Sequence, residues 1–163
     1  MILQFAFVIC ATFLFVASTL AGKRCLSFTL TSLTIMAVGF IYLCLKTLQV
    51  ELIPEYRGII LYSWYVIVIT TSFLTIWGTN QLHASFGIEL SWLANTSNVY
   101  HFVGCCVEFS RFMDRIVLET DVLGTFYRYW GKISLSAISV LILTQAIVVL
   151  WKYRRNPFVM PES

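Results

Sequence analysis

The sequence predicts an all-α integral membrane protein: a four-helix bundle with an additional amphipathic helix in the loop between spans 3 and 4. Three observations predict it. Of 163 residues, 59% are apolar and only 12% are charged, against about half and about a quarter in soluble domains. A soluble fold of this length could not hide that much apolar surface, and the mean hydropathy is +0.83. Four apolar runs each approach or exceed the ~20 residues that cross hydrocarbon as a helix. Between the third and fourth, one stretch carries apolar and charged residues on opposite faces at helical period. Residues 1–163 read as a single membrane domain, a length that fits one domain.

The first run, residues 2–22, carries no charge and ends at Lys23 and Arg24. It reads as a span rather than a signal peptide, because no basic segment precedes it and its apolar part exceeds the ~7–15 residues of a signal core. The second, residues 26–50, opens with Ser27, Thr29, Thr31, Ser32 and Thr34. In a helix such hydroxyls bond back to carbonyls one turn earlier and cost little in lipid. They also favour close helix contact. The turn after it contains Pro54, Arg57 and Gly58, residues that break helices and sit in water. The third run, residues 58–80, has Tyr62, Trp64 and Tyr65 at one end and Trp77 toward the other, in the manner of interfacial aromatics. The fourth, residues 131–152, is closed by Lys152, Arg154 and Arg155 in a short basic tail, residues 152–163.

The basic cluster after the fourth run predicts a cytoplasmic C-terminus. With four spans the N-terminus is inside too, and Lys23, Arg24 and the third loop fall outside, which strains the same rule. A fifth span at about residues 88–109 would relieve that strain. It would also carry Glu89, Asn95, Asn98, His101 and Glu108 into hydrocarbon, where ionisable groups cost several kcal/mol each, on the order of 3 on insertion scales. Four spans are therefore preferred.

Residues 107–127 form the predicted amphipathic helix. Phe109, Phe112, Met113, Ile116 and Leu123 fall on one side. Glu108, Arg111, Asp114, Arg115, Glu119 and Asp121 fall on the other. The expected arrangement lies along the interface, with the charges toward water and the apolar side docked on the bundle or in lipid. The contrasting arrangement turns the charges inward to line an ion or proton path.

Asn95-Thr96-Ser97 matches the N-glycosylation acceptor and predicts possible glycosylation at Asn95. Five cysteines are present, with no C-x-x-C pair. Cys25, Cys105 and Cys106 are candidates for a disulfide or reactive thiols, and buried or lipid-facing thiols are the simpler expectation. His83 and His101 are the only histidines; without an H-x-x-x-H or Cys/His spacing they do not predict a metal or haem site. No nucleophile, zinc or phosphate-loop motif is present, so no cofactor is expected and an enzyme is not favoured. A net charge of +3, with cations at the edges of apolar runs, gives no reason to expect nucleic acid. The layout is similar to that of tetraspanins, but their Cys-Cys-Gly signature is absent. The order here is Gly104-Cys105-Cys106, and no family is identified.

The expected function is that of a non-enzymatic, multi-pass protein of the plasma membrane or an endomembrane. Beyond the bilayer, its expected partners are other membrane chains or further copies, as for an accessory subunit or scaffold. The hydroxyl-rich second helix, with Ala37 and Gly39, is the candidate contact face. The alternatives are a channel or transporter component using the charged stretch 108–121, and a small membrane redox enzyme using His83, His101 or the cysteines.

Overall fold

The computed structural model describes residues 2–20, 25–52 and 57–155. Among them are five long helices: α1 (Ile2–Leu20), α2 (Leu26–Leu52), α3 (Arg57–Ser85), α4 (Trp92–Phe112) and α5 (Gly124–Arg155). One π-helical turn, Met113–Val117, follows α4 directly. The described residues contain no strand. Three helices are long and apolar enough to cross a membrane, over Leu26–Gln49, Ile59–Ser85 and Gly124–Trp151.

The hydroxyl-rich start of α2 is helical for the expected reason. Thr31 donates to the Ser27 carbonyl at 2.8 Å and Thr34 to Leu30 at 3.0 Å. Between α3 and α4 the chain reverses through Gly87, whose φ of 61° is one that side-chain-bearing residues avoid. The Ser91 hydroxyl then caps α4 by accepting from the Ala94 N–H at 3.3 Å, the usual role of serine at a helix start.

Each helix packs on its neighbours in sequence, and α5 closes the ring on α1. The connections are short, so successive helices run in opposite directions. The upper end of the bundle holds the start of α2 and the ends of α1, α3 and α5. Cys25, Ala17 and Val149 form one cluster there. The main core lies below it, where Ala11 and Leu14 of α1, Ile35 of α2, Leu93 of α4, and Ile138, Ile142 and Ala146 of α5 meet.

The structure departs from the sequence-based expectation in the third loop. The stretch treated as loop contains α4, a fifth long helix packed along α3. The predicted helix 107–127 does not exist as one unit. Its first part is the end of α4 and the π turn. Residues 118–123 are non-helical, and its last part begins α5. The break is local: Glu119 adopts φ 52°, a left-handed conformation that ends a right-handed helix. The period continued across the break only because α4 and α5 each carry it. Span bounds shift accordingly, with α3 running to Ser85 and α5 starting at Gly124 rather than near 131. Lys23, Arg24 and the tail from residue 156 lie outside the described residues.

Candidate functional site

Helix α4 is polar inside and apolar outside. Ser97, Glu108 and Arg111 are buried, whereas Val99, Phe102 and Phe109 are about 60% exposed (62%, 63% and 58%). Glu108 and Arg111 thus depart from the expected docking, in which the charges faced out. Glu108, Arg111 and the following Asp114, at 8%, 7% and 5% exposure, share one face because spacings of three keep to one side of a helix. That face points into the bundle.

At the lower end these charges form a clamp. Arg111 pairs with Asp114 at 2.5 Å and also with Asp121. Asp114 further accepts from the Thr120 hydroxyl at 2.5 Å, the Val122 N–H at 3.2 Å and the Leu123 N–H at 3.1 Å. It thereby caps the entry to α5 from the preceding element. The Thr120 hydroxyl above all holds the Asp114 carboxyl below the usual carboxylate range; burial opposes this, and the two backbone N–H groups and Arg111 reinforce it. Arg115 and Glu119, the remaining members of the predicted charged face, are exposed.

Above the clamp, α2, α3, α4 and α5 enclose a cleft of about 450 Å³. Glu108 reaches the cleft from α4. The Tyr127 hydroxyl contacts both Glu108 oxygens, at 3.0 and 2.8 Å, and Trp64 Nε1 donates to that hydroxyl at 3.4 Å. His101 lines the cleft two turns above Glu108, with Gly104 between them. Thr71, Ser72 and Thr75 of α3, and Arg128 and Lys132 of α5, also line it. Gly39 lines this cleft from α2, whereas the sequence reading assigned it to an outer contact face. A volume of this size is in the usual range for small-molecule sites.

A second polar group lies at the upper end. His83 Nδ1 is 2.7 Å from the Thr79 carbonyl and Nε2 is 2.6 Å from the Ser27 hydroxyl. A carbonyl only accepts, so Nδ1 carries the proton and Nε2 accepts from Ser27. The Ser91 N–H donates to the same hydroxyl at 3.0 Å. A hydroxyl, imidazole and carbonyl in that order resemble an activated nucleophile. Neither Ser27 nor His83 borders the cleft, and the group joins α2, α3 and the start of α4.

The five cysteines are free. Cys25 belongs to the upper cluster, while the Cys105 thiol lies 3.7 Å from the Ile69 carbonyl near the middle of α3, so the suggested Cys25 to Cys105 or Cys106 link does not form. Asn95 is exposed in the first turn of α4, with Nδ2 3.5 Å from the Leu90 carbonyl. Among the described residues, no group of three or more His, Cys, Asp or Glu side chains is placed to hold a metal. Compared with known families, curated proteins and solved structures, the chain matches none.

Sequence reasoning found the charged residues and missed the direction of Glu108, Arg111 and Asp114, which face inward, whereas Arg115, Glu119 and Asp121 are exposed. The signal was available in the neighbouring residues. Ser97, His101, Gly104 and Glu108 continue the polar face of Arg111 upward, and Val99, Phe102 and Phe109 continue the apolar face. Extended to residue 92, the same helical period describes a helix with a polar inner face and an apolar outer face.

Proposed function

We propose that this chain is an integral membrane protein of five crossing helices that works as a channel- or carrier-type component, with the α2–α5 cleft as a water-filled site for a small polar solute or ion. The observation that carries the reading is Glu108, a buried carboxylate on the wall of a cleft that four helices line and into which hydroxyls, an imidazole and three cationic side chains also reach. Ionisable residues inside membrane bundles are costly and mark ion and substrate paths. A scaffold working through its outer surface has no need of one. The inverted polarity of α4 supports lipid as the outer solvent, since in water its exposed Phe102 and Phe109 would be inside.

The test is aqueous access to the cleft. A Gly104→Cys variant in a cysteine-free background fits without displacement, because a Cβ at Gly104 meets nothing within 4 Å. In liposomes it should react with a charged, membrane-impermeant methanethiosulfonate far faster than Phe102→Cys on the lipid face. Equal, slow labelling of both would mean a lipid-filled cleft and would remove the transport reading.

A further inference from the structure

Among the described residues, six buried side-chain polar atoms have no hydrogen-bond partner within the protein. Gln49 Oε1 and Arg111 Nε stand apart; the other four, Thr79 Oγ1, Ser97 Oγ, Asn98 Oδ1 and His101 Nε2, belong to α3 and α4 and mark the seam between them. Asn98 donates across that seam to Asn80 at 3.1 Å, which brings Thr79 and Ser97 within about one turn of each other along the pair. Both are 0% exposed. Elsewhere in the bundle, buried hydroxyls bond back along their own helix, as Thr31, Thr34, Thr71 and Thr75 do. Thr79 and Ser97 do not. Buried polar groups are almost always satisfied, by protein or by ordered water, and an internal water makes about three such bonds. The unpartnered atoms therefore mark positions where water completes the seam.

The seam joins the two polar sites. His101 belongs to both, since it lines the cleft and its Nε2 is one of the unpartnered atoms. Below it, Gly104 leaves the space toward Glu108 open. Above it, the Thr79 carbonyl already accepts from His83. Glu108 bonds Tyr127 of α5 and shares the cleft with Arg128 and Lys132 of α5, Lys46 of α2, and Tyr100 and His101 of its own helix.

We propose that this seam is a proton route through the bundle, running from Glu108 by way of His101 and the Thr79–Ser97 hydroxyls to His83 and Ser27. The inference rests on the wet cleft argued above. At the upper end the Ser27 hydroxyl gives its proton to His83 Nε2 and regains one from outside, while Nδ1 turns its proton from the Thr79 carbonyl to water bound by Thr79 and Ser97. That water passes a proton to one ring nitrogen of His101, which releases one from the other, as imidazoles do. The Glu108 carboxylate receives it through water and gives it up at the lower mouth. Each hop breaks one O–H or N–H bond and forms another; nothing is oxidised or reduced, and one proton is moved. Full burial of Thr79 and Ser97 makes the route selective, because a proton can hop along bound water where a hydrated ion cannot fit.

The test uses the full chain in liposomes loaded with the pH dye pyranine, with a potassium gradient and valinomycin setting the membrane potential. Internal pH should change faster than in protein-free liposomes. Glu108→Gln, and separately the Thr79→Val/Ser97→Ala double variant, should each slow the change by about tenfold or more. The double variant should keep its melting temperature and its labelling at Gly104→Cys. If it loses stability, Thr79→Ser, which retains a hydroxyl, must conduct like the unaltered chain. A wild-type rate equal to protein-free liposomes, or a double variant that conducts fully, overturns the proposal. A labelled cleft without proton flux ends the proton route and leaves the cleft reading standing; an unlabelled cleft ends both.

Discussion

Asp114 shows why residue identity alone was not enough. From the sequence it is one of six charges on a helix face, with a weak partner three residues away. In the fold it accepts from Thr120, Val122, Leu123 and Arg111 together. Three of these lie beyond a break that periodicity cannot register. The consequence for acid stability follows in sign. A carboxyl held below its unfolded value of ~3.9 stabilises the fold above that value, and the stability is lost as pH falls through the depressed folded value. The melting temperature in detergent should therefore fall on acidification from about pH 5 downward, and Asp114→Asn should flatten that slope. A slope unchanged by the substitution would mean other carboxyls control acid unfolding. Arg111 and Glu119 divide in the same way. Arg111→Gln removes two charge-assisted pairs and should cost about 2 kcal/mol or more. Glu119→Gln, on an exposed side chain, should stay within about 0.5 kcal/mol. Glu119→Gly should be neutral or stabilising, because glycine adopts the φ of 52° without steric penalty. Thermal unfolding of the three variants checks the order.

For single elements, α1, α2, α3 and α5 were legible because long apolar runs have one physical meaning. Helix α4 was not, because its polarity is inverted and its composition resembles a wet loop. The start of α5 was missed for a smaller reason. Thr120 and Asp121 before Gly124 are turn and helix-start residues, and the aromatics that follow sit before the apolar run proper. Inversion makes a direct prediction for α4. Ser97→Leu adds volume to a fully buried position and should destabilise by about 1–3 kcal/mol. Phe102→Leu, on a side chain 63% exposed, should change stability by less than about 0.5 kcal/mol. If α4 instead lay on the interface with its apolar side docked, the ranking would reverse. The junction with α5 is equally specific. A Cβ at Gly124 would come within 2.5 Å of the Asp121 carboxylate, so Gly124→Ala must move Asp121 away from Arg111. Its destabilisation should largely vanish in an Arg111→Gln background, because residues sharing a partner are not additive.

The whole molecule turns on the parity of its crossings. Four spans would place Cys25 and the end of the last helix on opposite sides of a membrane. In the fold, Cys25 packs with Val149, one and a half turns before Arg155 ends α5. No rigid crossing of this bundle can separate them. On the five-crossing reading proposed above, the basic residues after the first run and those that end the last fall on one side, and the cost that argued against a fifth crossing is lower because Glu108 and Arg111 are buried inside the bundle rather than facing lipid. The prediction is one of sidedness. In sealed vesicles, single cysteines at positions 25 and 155 should be protected or labelled together by an impermeant maleimide, while one at exposed position 119 should show the opposite response. Opposite labelling of 25 and 155 would restore an even number of crossings and would take α4 out of the membrane. Glu108 would then have no claim to line a path through it.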